Sequence, residues 1–154
     1  MKILAVVESK HKGNTLKIAN AMAEAAPVTI TDIENAPKYN FRDYDIVGFG
    51  SGIYYGKHDK KLLEFVGKFC DTKAYTFVFS TSGSNSVEKN NKALVDLLKS
   101  KNKVVLGSFG CKGYDKYFIF KVVGGINKGH PDEQDLKNAQ KFILDIMKKY
   151  EEEK

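Results

Sequence analysis

Tryptophan is absent from this chain of 154 residues, cysteine occurs only twice and proline only three times. Two cysteines, Cys70 and Cys111, cannot build a disulfide framework, and neither has a histidine or cysteine neighbour at zinc-ligand spacing. No repeat, low-complexity tract or proline-rich linker interrupts the chain, and no stretch approaches the roughly 18 apolar residues of a membrane span. The amino-terminal apolar run, Ile3 to Val7, meets Glu8 and is far shorter than the core of a secretion signal. A reduced, cytoplasmic chain is the expectation.

What is present fits one domain. At 42% apolar residues the chain can build a core that buries roughly 68% of its unfolded surface without covalent staples. Twenty-five Lys and Arg against 19 Asp and Glu give a net charge of +6, which favours anionic ligands or partners through long-range attraction. The lysines are scattered, so a solvated surface is the expectation over a nucleic-acid site.

Short β-rich runs alternate with helical stretches. Lys2 to Glu8 is a near-continuous apolar run, expected of a strand buried on both faces, and a helix follows from Asn14 to about Ala26. Further strands are predicted at Val28 to Asp32, Tyr44 to Ser51, Tyr75 to Ser80 and Lys103 to Ser108. Helices are predicted at Asp59 to Cys70, Glu88 to Lys101 and Asp132 to about Tyr150, with Glu151 to Lys154 as a frayed tail. Asp132, Glu133 and Asp135 in the first turn of the last helix and Lys148 and Lys149 in its last turn suit the two ends of its dipole. Five strands alternating with helices predict a parallel sheet covered on both faces.

In such a sheet ligands bind beyond the carboxyl ends of the strands, so the loops there carry the functional signal. The loop after the first strand, Ser9-Lys10-His11-Lys12-Gly13-Asn14-Thr15, combines small and basic residues with a helix start, whose unsatisfied N–H groups suit a phosphate. It is neither a Walker loop nor the three-glycine dinucleotide pattern. Gly50-Ser51-Gly52-Ile53-Tyr54-Tyr55-Gly56-Lys57 sets two tyrosines between glycines, and flat aromatic faces there suit a flat aromatic ligand. Ser80-Thr81-Ser82-Gly83-Ser84-Asn85-Ser86 supplies hydroxyls and backbone donors for the edge of a heterocycle.

On these three loops the chain resembles flavodoxin-like proteins over essentially its whole length. The resemblance implies an α/β three-layer sandwich: a five-stranded parallel sheet of order 2-1-3-4-5 with helices on both faces, as one domain over 1–154 carrying an inserted segment at about 108–129. It implies flavin mononucleotide (FMN), with its phosphate on Ser9, Lys10, His11, Gly13, Asn14 and Thr15. The isoalloxazine would lie against Ser51, Gly52, Ile53, Tyr54, Tyr55 and Gly56, and its pyrimidine edge would face Thr81, Ser82 and Gly83. The function implied is electron transfer with a redox partner protein, which the basic charge makes an acidic one, at a surface framed by Lys57, Lys112, Lys116 and Lys121. Ser-x-x-x-Gly-x-Thr in the first loop and Gly52 to His58 in the second are more similar to flavodoxin-type protoporphyrinogen oxidases. An FMN-dependent oxidoreductase is therefore an alternative, and a non-redox phosphate-binding module a third. Cys111 reads as a buried, inert cysteine, and His11, His58 and His130 are too dispersed for a metal site.

Overall fold

The computed structural model describes residues 1–10, 13–69, 74–83, 86–113 and 129–154. Its strands are β1 (Ile3–Glu8), β2 (Val28–Thr31), β3 (Ile46–Tyr54), β4 (Lys57–His58), β5 (Tyr75–Ser82) and β6 (Val105–Lys112). The helices are α1 (Asn14–Ala25), α2 (Lys60–Gly67), α3 (Val87–Ser100) and α4 (Glu133–Glu153). Five strands run parallel in the order β2-β1-β3-β5-β6, and β4 turns back antiparallel on β3. With β4 set aside, this is the order implied by the resemblance.

Strand alternation sorts the core into two layers. Ile3, Ala5 and Val7 of β1 face α1 and α4, where they meet Ile18, Met22, Ile143 and Ile146. Leu4 and Val6 point the other way, into the layer built by Leu62 and Val66 of α2 and Leu94 and Leu98 of α3. Because β1 is covered on both sides, it reads as a continuous apolar run rather than an alternating one. Between β3 and β5 the fit is steric. Gly48 pairs with Phe77 and Gly50 with Phe79 in register. A Cβ on those glycines would lie 2.1 and 2.2 Å from the phenyl rings, so the absent side chains are the space the rings fill.

Several element ends differ from the sequence-based reading, each for a physical reason. Strand β3 runs three residues past Ser51 because it folds into a hairpin with β4. Strands β5 and β6 continue together through polar residues, pairing Phe79 with Phe109 and Ser82 with Lys112. The connection after β6 therefore starts at Gly113, and Phe109 to Lys112 are strand. Helix α2 ends at Gly67, although Phe69 beyond it is still buried. The residues read as a frayed tail are helical to Glu153, where the Tyr75 hydroxyl donates to the Glu153 carbonyl at 3.1 Å. Among the described residues no helix is long and apolar enough to cross a membrane.

Candidate functional site

Register brings the strand ends level with one another. Glu8 lies beside Ser51, Ser51 beside Ser80, Gly52 beside Thr81 and Thr81 beside Cys111. The loops after β1, β3 and β5 thus open onto one edge of the sheet.

At that edge α1 starts on Gly13, whose left-handed backbone (φ 68°, ψ 32°) strongly favours glycine. The first helical bond runs from the Lys17 N–H to the Gly13 carbonyl at 3.0 Å, and Ser9 Oγ reaches across to accept the Leu16 N–H at 3.3 Å. Ser9 thus helps to cap the helix from the strand end, and a Cβ at Gly13 would meet no described atom within 4 Å. Asn14 and Thr15 in the first turn are buried. Thr15 Oγ1 lies 2.8 Å from Thr81 Oγ1, a buried contact that ties the first loop to the end of β5. Gly113 completes the corner. Its N–H donates to the Ser82 carbonyl at 2.9 Å, and a Cβ there would lie 2.9 Å from Asn14 Nδ2 and 3.2 Å from Thr81 Cβ.

The second loop is a β-hairpin, with Ile53 opposite His58 and Tyr54 opposite Lys57. Tyr55 (φ 53°) and Gly56 (φ 78°) form its two-residue turn in successive left-handed conformations. That conformation is uncommon for a bulky residue, and Tyr55 is 99% exposed at the tip. Tyr54 behaves differently. It is half-buried and folds back over Gly52, where a Cβ would meet its hydroxyl at 3.1 Å, and Lys10 Nζ sits 5.6 Å from its ring centroid. The two tyrosines, read together in the sequence, are separated by strand alternation and turn geometry.

At the end of the hairpin lie two buried polar residues that sequence reasoning did not count as site residues. His58 is 2% exposed, and its Nε2–H donates to the Phe79 carbonyl at 2.9 Å. In that tautomer Nδ1 is a buried acceptor without a partner among the described residues. Burial pushes the imidazole pKa down to about 4, with the Phe79 carbonyl opposing, so His58 is neutral. Asp59 is 3% exposed and caps α2 by accepting the Lys61 N–H on Oδ1 at 2.9 Å. Its own N–H donates to Ser51 Oγ at 2.9 Å, and Ser51 in turn donates to the Gly52 carbonyl at 2.7 Å. Lys10 Nζ stands 2.9 Å from Asp59 Oδ2, and the carboxylate holds the ammonium above the ordinary lysine range. The sequence signal for Asp59 was its place as a capping residue directly before an apolar helical repeat.

Of the residues read from sequence, Ser9, Lys10, Gly13, Asn14, Thr15, Ser51, Gly52, Ile53, Tyr54, Thr81 and Ser82 lie on the elements that meet at this edge. Tyr55 and Gly56 extend from it into solvent, and Gly83 is exposed just beyond β5. His11, Lys12, Cys70, Ser84, Asn85, Lys116 and Lys121, with the Tyr117 to Val123 stretch, lie outside the described residues. Cys111 is only half-buried in β6, not buried as expected, and burial, with Asp135 and Asp132 adding to it, pushes its thiol up to about 12. Away from the site, His130 lies 2.6 Å from Asp135 and 3.7 Å from Asp132. Those two carboxylates form the capping box of α4, which accounts for the grouping.

A parallel sheet of this order, flanked by helices, defines a flavodoxin-like α/β protein. Comparison with known proteins narrows this. The model of the flavodoxin domain family matches residues 5–153, and the chain belongs to that family. An uncharacterized protein of Methanocaldococcus jannaschii is 44% identical over 149 residues, covering 96% of this chain and 99% of that one. Among solved structures, oxidised flavodoxin 1 from Bacillus cereus superposes with a TM-score of 0.69 at 16% identity, covering 96% of this chain and 98% of the other. A flavoprotein in complex with FMN from Lactobacillus acidophilus is similar over 71% of this chain and 92% of its own, with a TM-score of 0.58 at 12% identity.

Proposed function

We propose that the chain binds one FMN across the carboxyl ends of β1, β3 and β5 and passes electrons between the bound flavin and a partner protein. The observation that carries this reading is the meeting of an open helix start with an aromatic hairpin at one strand edge. A Cβ at Gly13, at the head of α1, would meet no described atom within 4 Å, and the Tyr54 ring centroid lies 5.6 Å from Lys10 Nζ of the adjoining loop. A mononucleotide needs a phosphate cradle and a flat apolar surface, and the start of α1 and the Tyr54 ring support that reading. The matching family and the FMN complex of a similar flavoprotein agree with it.

In this reading the loop from Ser9 to Thr15 holds the phosphate through backbone N–H groups and the dipole of α1. The hairpin from Ser51 to Gly56 orients the ring, and Thr81 to Gly83 face its polar edge. Bound FMN supplies the capacity to accept and release electrons. The protein fixes the ring and shields it in part from water. The fully exposed Tyr55 favours an open ring edge, as a carrier needs, over an enclosed substrate pocket. The net charge of +6, with exposed Lys57 and half-buried Lys112 beside the site, favours an acidic partner.

The visible spectrum of the purified protein, and identification of what heat releases from it, tests the reading. A flavin spectrum with FMN released is expected, together with a clear preference for added FMN over riboflavin. Equal affinity for the two would overturn the phosphate cradle. Efficient turnover of small quinones, with no protein acceptor needed, would move the function to the oxidoreductase alternative.

A further inference from the structure

Lys10 lies in the loop read as a phosphate cradle, yet its charge is directed elsewhere. Its ammonium stands 2.9 Å from Asp59 Oδ2, an oxygen with no other hydrogen-bond partner among the described residues, on a carboxylate side chain that is only 5% exposed. The same ammonium lies 5.6 Å from the centroid of the Tyr54 ring. Asp59 is the residue that joins the pieces. Its Oδ1 caps α2 and its N–H is held by Ser51 at the end of β3. A carboxylate buried to this degree cannot lose its counter-ion cheaply, because the desolvated charge would then stand alone. Transfer of Lys10 to an incoming phosphate is therefore opposed by the structure.

We propose that Lys10 is a positioning residue and not a phosphate ligand: through Asp59 it clasps the loop after β1 to the hairpin that carries Tyr54, and so acts on the ring end of the flavin. The proposal rests on the FMN reading for its ligand, but the clasp is a property of the protein alone. It makes an asymmetric prediction. Asp59→Asn keeps a capping oxygen for α2 and leaves a lysine that is 43% exposed and free to be hydrated. Lys10→Gln instead strands a buried negative charge. The lysine variant should be the worse of the two, and removing the carboxylate as well should repair it.

Two measurements decide it. The first is amide hydrogen exchange of the flavin-free protein over residues 53–59. Lys10→Gln should speed exchange there by roughly 10-fold, Asp59→Asn by less, and the double variant and Lys10→Arg should return close to wild type. Unchanged exchange in Lys10→Gln, or a double variant no better than the single, overturns the clasp. The second is titration of each variant with FMN and with riboflavin. Lys10→Gln should weaken both by a similar factor, roughly 10-fold, with the double variant recovering most of it. A loss confined to FMN would make Lys10 a phosphate ligand and overturn the proposal. If wild-type protein binds neither flavin, the FMN reading fails, while the exchange measurement still decides the clasp.

Discussion

The two ends of the parallel sheet are built by different means. At the amino end the chain closes on itself mostly through the backbone and solvent-accessible side chains, with one buried tie, the Thr76 hydroxyl donating to the Val104 carbonyl at 2.8 Å. The Lys2 N–H donates to the Asp45 carboxylate at 2.8 Å while the Asp45 N–H returns to the Lys2 carbonyl, also at 2.8 Å. Tyr75 and Tyr150 pack edge to face at 5.3 Å, and the Tyr150 hydroxyl donates to Asp45 at 3.3 Å. At the carboxyl end the ties are buried polar side chains: Thr15 with Thr81, His58 with the Phe79 carbonyl, Asp59 with Ser51 and Lys10. Buried polar groups add little net stability even when satisfied, so a fold selected for stability alone has small reason to gather them. Their concentration at one end fits the site proposed there, and substitutions should separate the ends accordingly.

The largest expected effect concerns His58. Its folded pKa of about 4 lies below the ordinary 6.5, so the unfolded chain takes up a proton first as pH falls. No penalty exists above pH 6.5; stability then declines through the window down to about pH 4, by up to ~3 kcal/mol from this residue. Urea midpoints at pH 7 and pH 4.5 should show a shallower decline in His58→Gln than in wild type, whereas Tyr150→Phe at the other end should decline as wild type does. Equal slopes for His58→Gln and wild type would show that the imidazole is not held neutral.

Next in size is Thr15→Val, expected to weaken FMN by about 1.5–3 kcal/mol, the range for a hydrogen bond to a charged group, and riboflavin by much less. Isothermal titration with both ligands checks it. Tyr54→Ala should weaken FMN and riboflavin alike by roughly 0.5–1.5 kcal/mol and change the flavin spectrum. Tyr55→Ala should do less, because that ring points into solvent. If Tyr55 proves the more important ring, the hairpin closes differently on the ligand. Smallest is Tyr150→Phe, which should cost about 0.5–1 kcal/mol of stability in urea and leave flavin affinity unchanged. A loss of affinity there would blur the distinction between the two ends.

Most of the fold was legible because burial on both faces leaves a direct trace: Ile3 to Val7 and Ile46 to Phe49 read as strands from apolar content alone. The ends of β5 and β6 were not, since Thr81 and Ser82 pair with Cys111 and Lys112 through backbone and carry no alternating hydrophobic signal. The hairpin was hidden for a related reason. Two-residue turns usually announce themselves with Asn-Gly or Asp-Gly, and here Tyr55 takes the first left-handed position. Near the proposed site, the start of α1 at Asn14 could be read locally, because a helix start is written in consecutive residues. The Lys10–Asp59 and Thr15–Thr81 ties could not, because each joins residues from different loops that only the sheet register brings together.

Hydrogen exchange of the whole protein with and without FMN tests the central claim most directly, because it reads both ends of the sheet in one experiment. Added FMN should slow exchange at residues 9–15, 51–58 and 81–83, while the amino end around Lys2, Asp45 and Tyr150 stays unchanged. Protection confined to the amino end, or none at saturating FMN, would contradict the assignment of the flavin to the carboxyl ends of the strands.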